Sequence, residues 1–351
     1  MTFKVTVRPS GREFSVEGDE TVLDAALRSG VGLPYGCKNG ACGTCKGRLV
    51  EGELRHGPHS SHALSAAEQA SGLALFCSSR PHTDVVIEQR ELSGFGDIPV
   101  KKLPCRIAKI GRPVDDVAIL SLQLPANERL QFRAGQYLDF HFKDGTRRSY
   151  SMATAPYADE MIQVHVRHMP GGAFTDALLG QREPPVKERD ILRMEAPLGT
   201  FFLREDNPRP IVLLASGTGF APIKAIAEHI FFKRLDRKVI LYWGCRMRKD
   251  LYLPDLPEQW AREQPDFSYV PVLSDALPED EWSGRSGFVH RAVMEDLLDL
   301  STWQVYACGA PVMVDSARED FVKRCGLPDD QFFADAFTSE ADLKKSLIPA
   351  S

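Results

Sequence analysis

The stretch Cys37-Lys-Asn-Gly-Ala-Cys42-Gly-Thr-Cys45 sets three cysteines in the pattern C-x4-C-x2-C, and a fourth follows in Leu75-Phe76-Cys77. This is the plant-type spacing for a [2Fe–2S] cluster. Three thiolates on one tight loop reach a cluster from one side, and a later segment closes it with the fourth. Iron–sulfur clusters take soft thiolate ligands, so Cys37, Cys42, Cys45 and Cys77 are the expected metal ligands. Gly36, Gly40, Gly43 and Gly47 surround the loop. They let backbone approach closely and aim amide N–H groups at sulfur. A structural zinc site would pair its cysteines more symmetrically. A disulfide framework does not suit a chain this long without a signal peptide.

Outward from the loop, alternation of apolar and polar residues predicts strands over 3–7 and 14–16, joined at Pro9-Ser10-Gly11. Thr21 is placed to cap a helix over 22–28, with Asp24 three positions on and Gly30 ending it. Strands over 46–50 and 85–88 complete a small β-grasp-like domain over residues 1–92. Residues 92–99 are turn-rich and aperiodic and read as a linker, which we bound at 93–102.

Short strands follow over 105–110, 117–123, 136–142 and 162–166, separated by turn signals as in an antiparallel barrel. The barrel is assigned to 103–206. From Pro208 the pattern changes to strands over 211–215, 239–243, 268–272 and 305–308, with a helix over 223–233. That alternation predicts a parallel α/β domain over 207–338, followed by a polar tail over 339–351.

The 351 residues suffice for two or three domains. The formal charge of −5 argues against a nucleic-acid partner. No apolar run reaches membrane-spanning length, and the N-terminus reads as a strand, not a targeting peptide. The other cysteines, Cys105, Cys245, Cys308 and Cys325, are scattered as in a reduced, cytoplasmic protein. His56, His59 and His62 have a spacing that suits a metal, yet their polar, turn-like surroundings read as a solvated loop.

Several motifs suit cofactors. Arg148-Ser-Tyr150-Ser151 offers a guanidinium for phosphate, an aromatic ring for packing and a hydroxyl near a flavin nitrogen. Gly171-Gly172-Ala173-Phe174-Thr175 opens a helical stretch, and amides there receive a pyrophosphate. Ser216-Gly217-Thr218-Gly219-Phe-Ala-Pro222 lies between a buried strand and a helix, where an open sheet receives a dinucleotide. Cys308, in Cys308-Gly309-Ala-Pro311 with Met313, ends a later strand, where a thiol sits against a nicotinamide or simply packs. Ser274-Asp275 follows another strand; an acid there bonds a ribose hydroxyl and repels a 2′-phosphate, favouring NADH.

Tyr35-Gly-Cys37, Arg147-Arg-Ser-Tyr-Ser151, Gly199-Thr-Phe-Phe202, Gly217-Thr-Gly-Phe-Ala-Pro222, Gly287-Phe-Val-His290, Tyr306-Ala-Cys-Gly309 and Phe332-Phe-Ala-Asp-Ala-Phe337 occur in this order. Over nearly its full length the chain resembles the iron–sulfur flavoprotein reductases built as ferredoxin, FAD and NAD domains. Among them it is most similar to the CDP-6-deoxy-Δ3,4-glucoseen reductases. The resemblance implies a multidomain α+β and α/β fold: an N-terminal β-grasp 2Fe-2S domain, an antiparallel FAD barrel and a parallel NAD-binding domain, like ferredoxin-NADP reductase. It implies FAD at Arg148, Tyr150, Ser151, Gly172 and Thr175, and NADH at Gly217, Thr218 and Gly219. His165, Arg167, Ala173, Phe174, Pro222, Ser274, Asp275, Gly309 and Met313 join the expected cofactor-binding residues. Ser151 and Cys308 are the expected catalytic residues, with Phe337 near the flavin.

The expected route runs from NADH to FAD, to the cluster, and to an electron-accepting protein. Leu33, Pro34, Tyr35 and Ala41 are the expected exit surface, and the protein is expected to act as a monomer. The acceptor is a sugar-nucleotide dehydrase or an oxygenase component. A zinc-stabilised binding module and a flavin-only diaphorase are the alternatives that metal analysis separates.

Overall fold

The computed structural model describes residues 2–92, 97–158, 161–338 and 347–348. The chain divides into two compact units, Met1–Pro99 with Phe337–Ser351, and Val100–Ala336.

In the first unit, β1 (Thr2–Arg8) and β2 (Arg12–Glu17) form a hairpin. Their alternation buries Val5, Val7, Phe14 and Val16 on one face. Helix α1 (Val22–Arg28) lays Val22, Leu23, Ala25 and Ala26 on that face, and Thr21 Oγ1 accepts from Asp24 N–H at 3.1 Å as its cap. The chain continues through β3 (Lys46–Glu51), β4 (Leu54–His56), β5 (His59–Ser60), α2 (Ala66–Ala70), β6 (Leu73–Leu75), β7 (Ser79–Pro81) and β8 (Val85–Glu88). The mixed sheet runs β2-β1-β8-β3-β6, with β1 and β8 parallel, while β4 and β7 make a separate pair. Helix on mixed sheet is the β-grasp arrangement read from the sequence.

The second unit begins with β9 (Lys101–Val114), β10 (Val117–Gln123), β11 (Tyr137–His141), β12 (Arg147–Ser151), β13 (Ile162–Arg167), α3 (Ala173–Leu178) and β14 (Ile191–Leu198). These strands form one antiparallel sheet in the order β12-β11-β14-β9-β10-β13. A bridge between Met152 and Val164 brings the outermost strands together and closes the barrel. Strand β14 was not anticipated: Arg193, Met194, Glu195 and Ala196 do alternate polar and apolar, but the run is short and Pro197 speaks against a strand.

The rest of this unit comprises β15 (Ile211–Ser216), α4 (Phe220–Lys233), β16 (Val239–Cys245), α5 (Asp255–Glu263), β17 (Phe267–Leu273), β18 (Arg285–Ser286), α6 (Val289–Asp296), β19 (Gln304–Gly309), α7 (Pro311–Arg324) and β20 (Phe332–Ala336). All six strands are parallel, in the order β18-β17-β16-β15-β19-β20. Helices flank a sheet whose central strands are apolar along most of their length, the signature of burial on both faces. The order reverses beside β15, so the carboxyl ends of β15 and β19 open the crevice where such sheets bind ligands. Helix α4 starts at Phe220, earlier than the sequence suggests. A 3₁₀ turn over Gly217–Gly219 runs straight into it, and Pro222 sits in its first turn, where no N–H is needed.

The expected linker lies partly, and the tail mostly, outside the described residues. Leu347 and Ile348 form β21, whose backbone pairs with β5 in the first unit. Among the described residues no helix is long and apolar enough to cross a membrane.

Candidate functional site

The loop after α1 gathers the four cysteines. Ala41 N–H and Cys42 N–H both donate to Cys37 Sγ at 3.3 Å, and Cys37 N–H donates to Cys42 Sγ at 3.4 Å. Gly40 N–H points at Cys77 Sγ. Gly40 has φ +76°, and a Cβ there would lie 2.7 Å from Pro58 O, so only glycine lets the loop fold this tightly. The thiols group as two pairs, Cys37 with Cys42 and Cys45 with Cys77. In the first pair the partner thiol is the main cause pulling Cys42 down and pushing Cys37 up, and Cys45 together with burial pushes Cys77 up. Among the described residues no three His, Cys, Asp or Glu side chains ring a single ion-sized point. Two pairs fit a two-iron unit, each iron taking two thiolates, and the amides aimed at sulfur suit the charge it carries.

Of the four residues expected at the exit surface, Pro34 is half-exposed, while Leu33, Tyr35 and Ala41 are buried, because apolar side chains beside and within the loop anchor it. Asn39 is the exposed residue of the loop, and Lys38, Gly43 and Thr44 are half-exposed beside it. Lys38 pairs with Asp24 at 3.3 Å. The histidine segment also departs from a solvated loop. His62 is exposed, but His59 is buried with its Nδ1–H bonded to Gly57 O at 2.8 Å, and its ring centre lies 6.4 Å from that of His56.

The second unit carries the remaining candidates. Strand β12 presents Arg148 and Tyr150 half-buried and Ser151 buried. Tyr150 packs its ring 5.6 Å from Phe140 and 5.8 Å from Phe174, and burial raises its phenol pKa. Thr175 Oγ1 accepts from Met169 N–H and donates to Met169 O, closing the turn before α3. No side chain caps α3 at Gly172, so its first N–H groups, at Ala173, Phe174 and Thr175, remain suited to an anion. A guanidinium, uncapped amides and an aromatic wall form a donor set that fits a flavin dinucleotide.

At the sheet crevice, Gly219 is wedged under β19; a Cβ on it would fall 2.1 Å from Cys308 O. Ser216 Oγ accepts from Ala310 N–H at 2.9 Å, tying the ends of β15 and β19 together. Arg167 comes across from the barrel: Nη1 lies 3.7 Å from where a Gly217 Cβ would be. Its Nε stands 3.5 Å from Asp116, and its Nη2 is buried without a hydrogen-bond partner. An unsatisfied guanidinium N–H above a glycine turn fits a nucleotide phosphate. Met313 and Gly309 are buried beside the turn's own strand, Pro222 lies inside α4, and Ser274 and Asp275 are exposed just past β17. Phe337 is exposed, one residue beyond β20.

Ser151 and Cys308 converge on a residue the sequence reading passed over. Ser151 Oγ lies 3.5 Å from Asp335 Oδ2, and Asp335 stands opposite Cys308 in the β19–β20 pair. Burial first, then the Asp335 charge, push the Cys308 thiol up, so it is a neutral thiol. His165 was expected at a cofactor but is buried against Tyr252, its Nδ1 2.7 Å from the phenol oxygen. Burial and the nearby Lys224 charge pull its pKa down to about 3. Asp335 lies inside the Phe332–Phe337 motif, which was the signal for it; nothing in the sequence marked Lys224.

Comparison with known proteins agrees with this arrangement. Residues 5–82 match the 2Fe-2S iron-sulfur cluster binding domain, 104–203 the oxidoreductase FAD-binding domain, and 213–319 the oxidoreductase NAD-binding domain. The chain is 41% identical to the CDP-6-deoxy-L-threo-D-glycero-4-hexulose-3-dehydrase reductase of Yersinia pseudotuberculosis, over 96% of this chain and 99% of that one. It is 34% identical to reductase component 2 of the terephthalate 1,2-dioxygenase of Comamonas, over 97% and 98%. The crystal structure of the Amycolatopsis cytochrome P450 reductase GcoB superposes with a TM-score of 0.77 at 35% identity, covering 96% of this chain and 99% of that one. The chain belongs to the iron–sulfur flavoprotein reductases, NAD(H)-dependent oxidoreductases that join a [2Fe–2S] domain, an FAD domain and an NAD domain.

Proposed function

We propose that this protein takes hydride equivalents from NADH and delivers single electrons to a sugar-nucleotide dehydrase of deoxysugar synthesis. FAD, when bound, turns a two-electron donor into single electrons, and the cluster carries them one at a time. Cys37, Cys42, Cys45 and Cys77 hold the cluster in two pairs. Arg148, Tyr150, Ser151 and the start of α3 hold FAD. Gly217, Thr218 and Gly219, with Arg167 above them, seat the NADH phosphates, and Asp275 meets the adenosine ribose. Ser151 and Cys308 line the place of hydride transfer, with Asp335 orienting both.

The observation that carries this reading is the convergence of Ser151, from the barrel, and Cys308, from the parallel sheet, on the one carboxylate of Asp335. It supports a flavin that would be held by the barrel and a nicotinamide that would be held by the parallel sheet meeting at the crevice. The dehydrase as acceptor rests on the 41% likeness to a dehydrase reductase. A second reading, the electron-transfer component of an oxygenase, rests on the 34% likeness to a dioxygenase reductase component. Exit is through Asn39, Lys38 and Thr44, the accessible lip of the cysteine loop. Transient redox contacts are small, so binding is weak. We place the protein in the cytoplasm as a monomer.

Anaerobic titration with NADH tests the route, followed by flavin and cluster absorbance and by EPR. Flavin bleaching with a rhombic one-electron cluster signal is expected. Flavin bleaching without that signal would overturn the cluster assignment. Turnover with a purified 3-dehydrase rather than with a dioxygenase component decides the acceptor.

A further inference from the structure

Lys224 is a buried ammonium that none of the cofactor motifs explains. It lies on α4, and its Nζ donates to Ala153 O at 3.0 Å and pairs with Glu228, one turn on, at 2.8 Å. The residue is 9% exposed. Taking a charge out of water is expensive, and a buried pair is weak grounds for stability. Such a pair is better explained by a geometry it enforces.

That geometry joins the two halves of the hydride-transfer site. Ala153 follows Ser151 by two residues. Its N–H donates to Gln163 O at 2.7 Å, at the seam where Met152 and Val164 close the barrel. Its carbonyl has the Lys224 ammonium as partner, a charge-assisted bond stronger than a neutral one. Ala153, two residues after Ser151, is thus gripped from the barrel by its N–H and from α4 by its C=O. The same helix follows directly on its N-cap Gly219, which is wedged against the Cys308 and Gly309 backbone. Five residues of helix, about 7.5 Å of rise, separate Gly219 from Lys224. One rigid element therefore sets the spacing between the Cys308 backbone and the strand end that bears Ser151.

We propose that Lys224 is a positioning residue for hydride transfer: through Ala153 O it fixes the Ser151 hydroxyl relative to the nucleotide turn and Cys308. This rests on the reading of Ser151 as a flavin-contacting residue. A hydroxyl displaced by an ångström at a reacting centre loses much of its effect, without a contact of its own being removed.

The test compares wild type, Lys224→Met, Lys224→Arg, Ser151→Ala and the Ser151→Ala/Lys224→Met double variant, all purified with cluster and FAD. The rate of flavin reduction by NADH is measured by stopped flow, and the visible circular dichroism of the bound flavin reports its surroundings independently of turnover. Lys224→Met is expected to slow flavin reduction about tenfold, to change the dichroism, and to leave the apparent NADH affinity within about twofold. Lys224→Arg is expected to restore most of the rate. Added to Ser151→Ala, the Lys224→Met change is expected to cost less than about twofold more, because residues that act through one another are not additive.

An equal loss from Lys224→Met in both backgrounds would overturn the proposal, as would an unchanged rate and dichroism. If Lys224→Met cannot be isolated folded, Lys224→Gln decides in its place, alone and combined with Ser151→Ala: its amide is uncharged and on a shorter stem, so a slowed rate and changed dichroism that vanish in the Ser151→Ala background support positioning, and an unchanged rate or additivity refutes it. If Ser151→Ala by itself leaves flavin reduction unchanged, the reading of Ser151 fails, which is a separate outcome from failure of the Lys224 role.

Discussion

Cys308 stands directly opposite Asp335 across the β19–β20 pair, and the same carboxylate lies 3.5 Å from Ser151 Oγ. Burial and the carboxylate both disfavour a Cys308 thiolate, so this sulfur packs and donates weakly; it does not attack. Cys308→Ala should slow flavin reduction by NADH about tenfold, a loss of oriented contact and not of a nucleophile. Asp335→Ala should do the same by releasing both neighbours. Stopped-flow absorbance checks both; a Cys308→Ala rate equal to wild type would make that thiol a packing residue.

Pairing of the thiols predicts separable electron steps. Cys42→Ser removes one member of the Cys37–Cys42 pair and leaves the flavin-bearing unit untouched in sequence. NADH-dependent reduction of a one-electron acceptor such as cytochrome c should fall by about a hundredfold or more, while ferricyanide turnover, which needs only flavin, stays within about twofold. Parallel loss of both activities in a variant that retains FAD would show that flavin and cluster do not act in sequence.

Asp275 is exposed just past β17, its side chain bonded by Ser274 Oγ–H at 3.0 Å. A carboxylate there accepts from a ribose hydroxyl and repels a 2′-phosphate. Asp275→Arg should therefore lower kcat/KM for NADH about tenfold and raise it for NADPH, measured as ferricyanide reduction. An unaltered ratio of the two would place discrimination elsewhere.

Much of this was legible in the sequence because local rules and tertiary needs agree. The cysteine spacing, the Thr21 cap and the apolar strand over 211–215 each state their structure within a few residues. What stayed hidden depends on contacts far apart in the chain. Strand β14 alternates only over Arg193–Ala196 before Pro197 breaks the signal, and pairing with β9 and β11 makes it a strand. Leu33 and Tyr35 precede the cluster loop and Ala41 lies within it, yet their apolar side chains turn into the domain and leave the lip to Asn39. Lys224 reads as a surface helix residue until Ala153, from a different fold layer, meets it. Periodicity reports which face is buried, not which distant carbonyl a buried charge will find.

His165 offers a prediction in stability. Burial, with the Lys224 charge, lowers its pKa from 6.5 to about 3 in the folded protein. An unfolded chain binds a proton there below 6.5 and the folded chain does not until about 3. Stability is therefore full above pH 6.5 and is lost as the pH falls from 6.5 toward 3. At pH 5 the loss from this one ring is about 2 kcal/mol. His165→Gln keeps a partner for the Tyr252 hydroxyl and cannot titrate. It should flatten the acid limb by about that amount, even if it is less stable at pH 7. All four tryptophans, Trp243, Trp260, Trp282 and Trp303, lie in the second unit, so their fluorescence in urea follows the unfolding of the unit that holds His165. Equal acid slopes in wild type and His165→Gln would mean that the ring takes up its proton in the folded state, and that Lys224 and the barrel wall open to water well above pH 3.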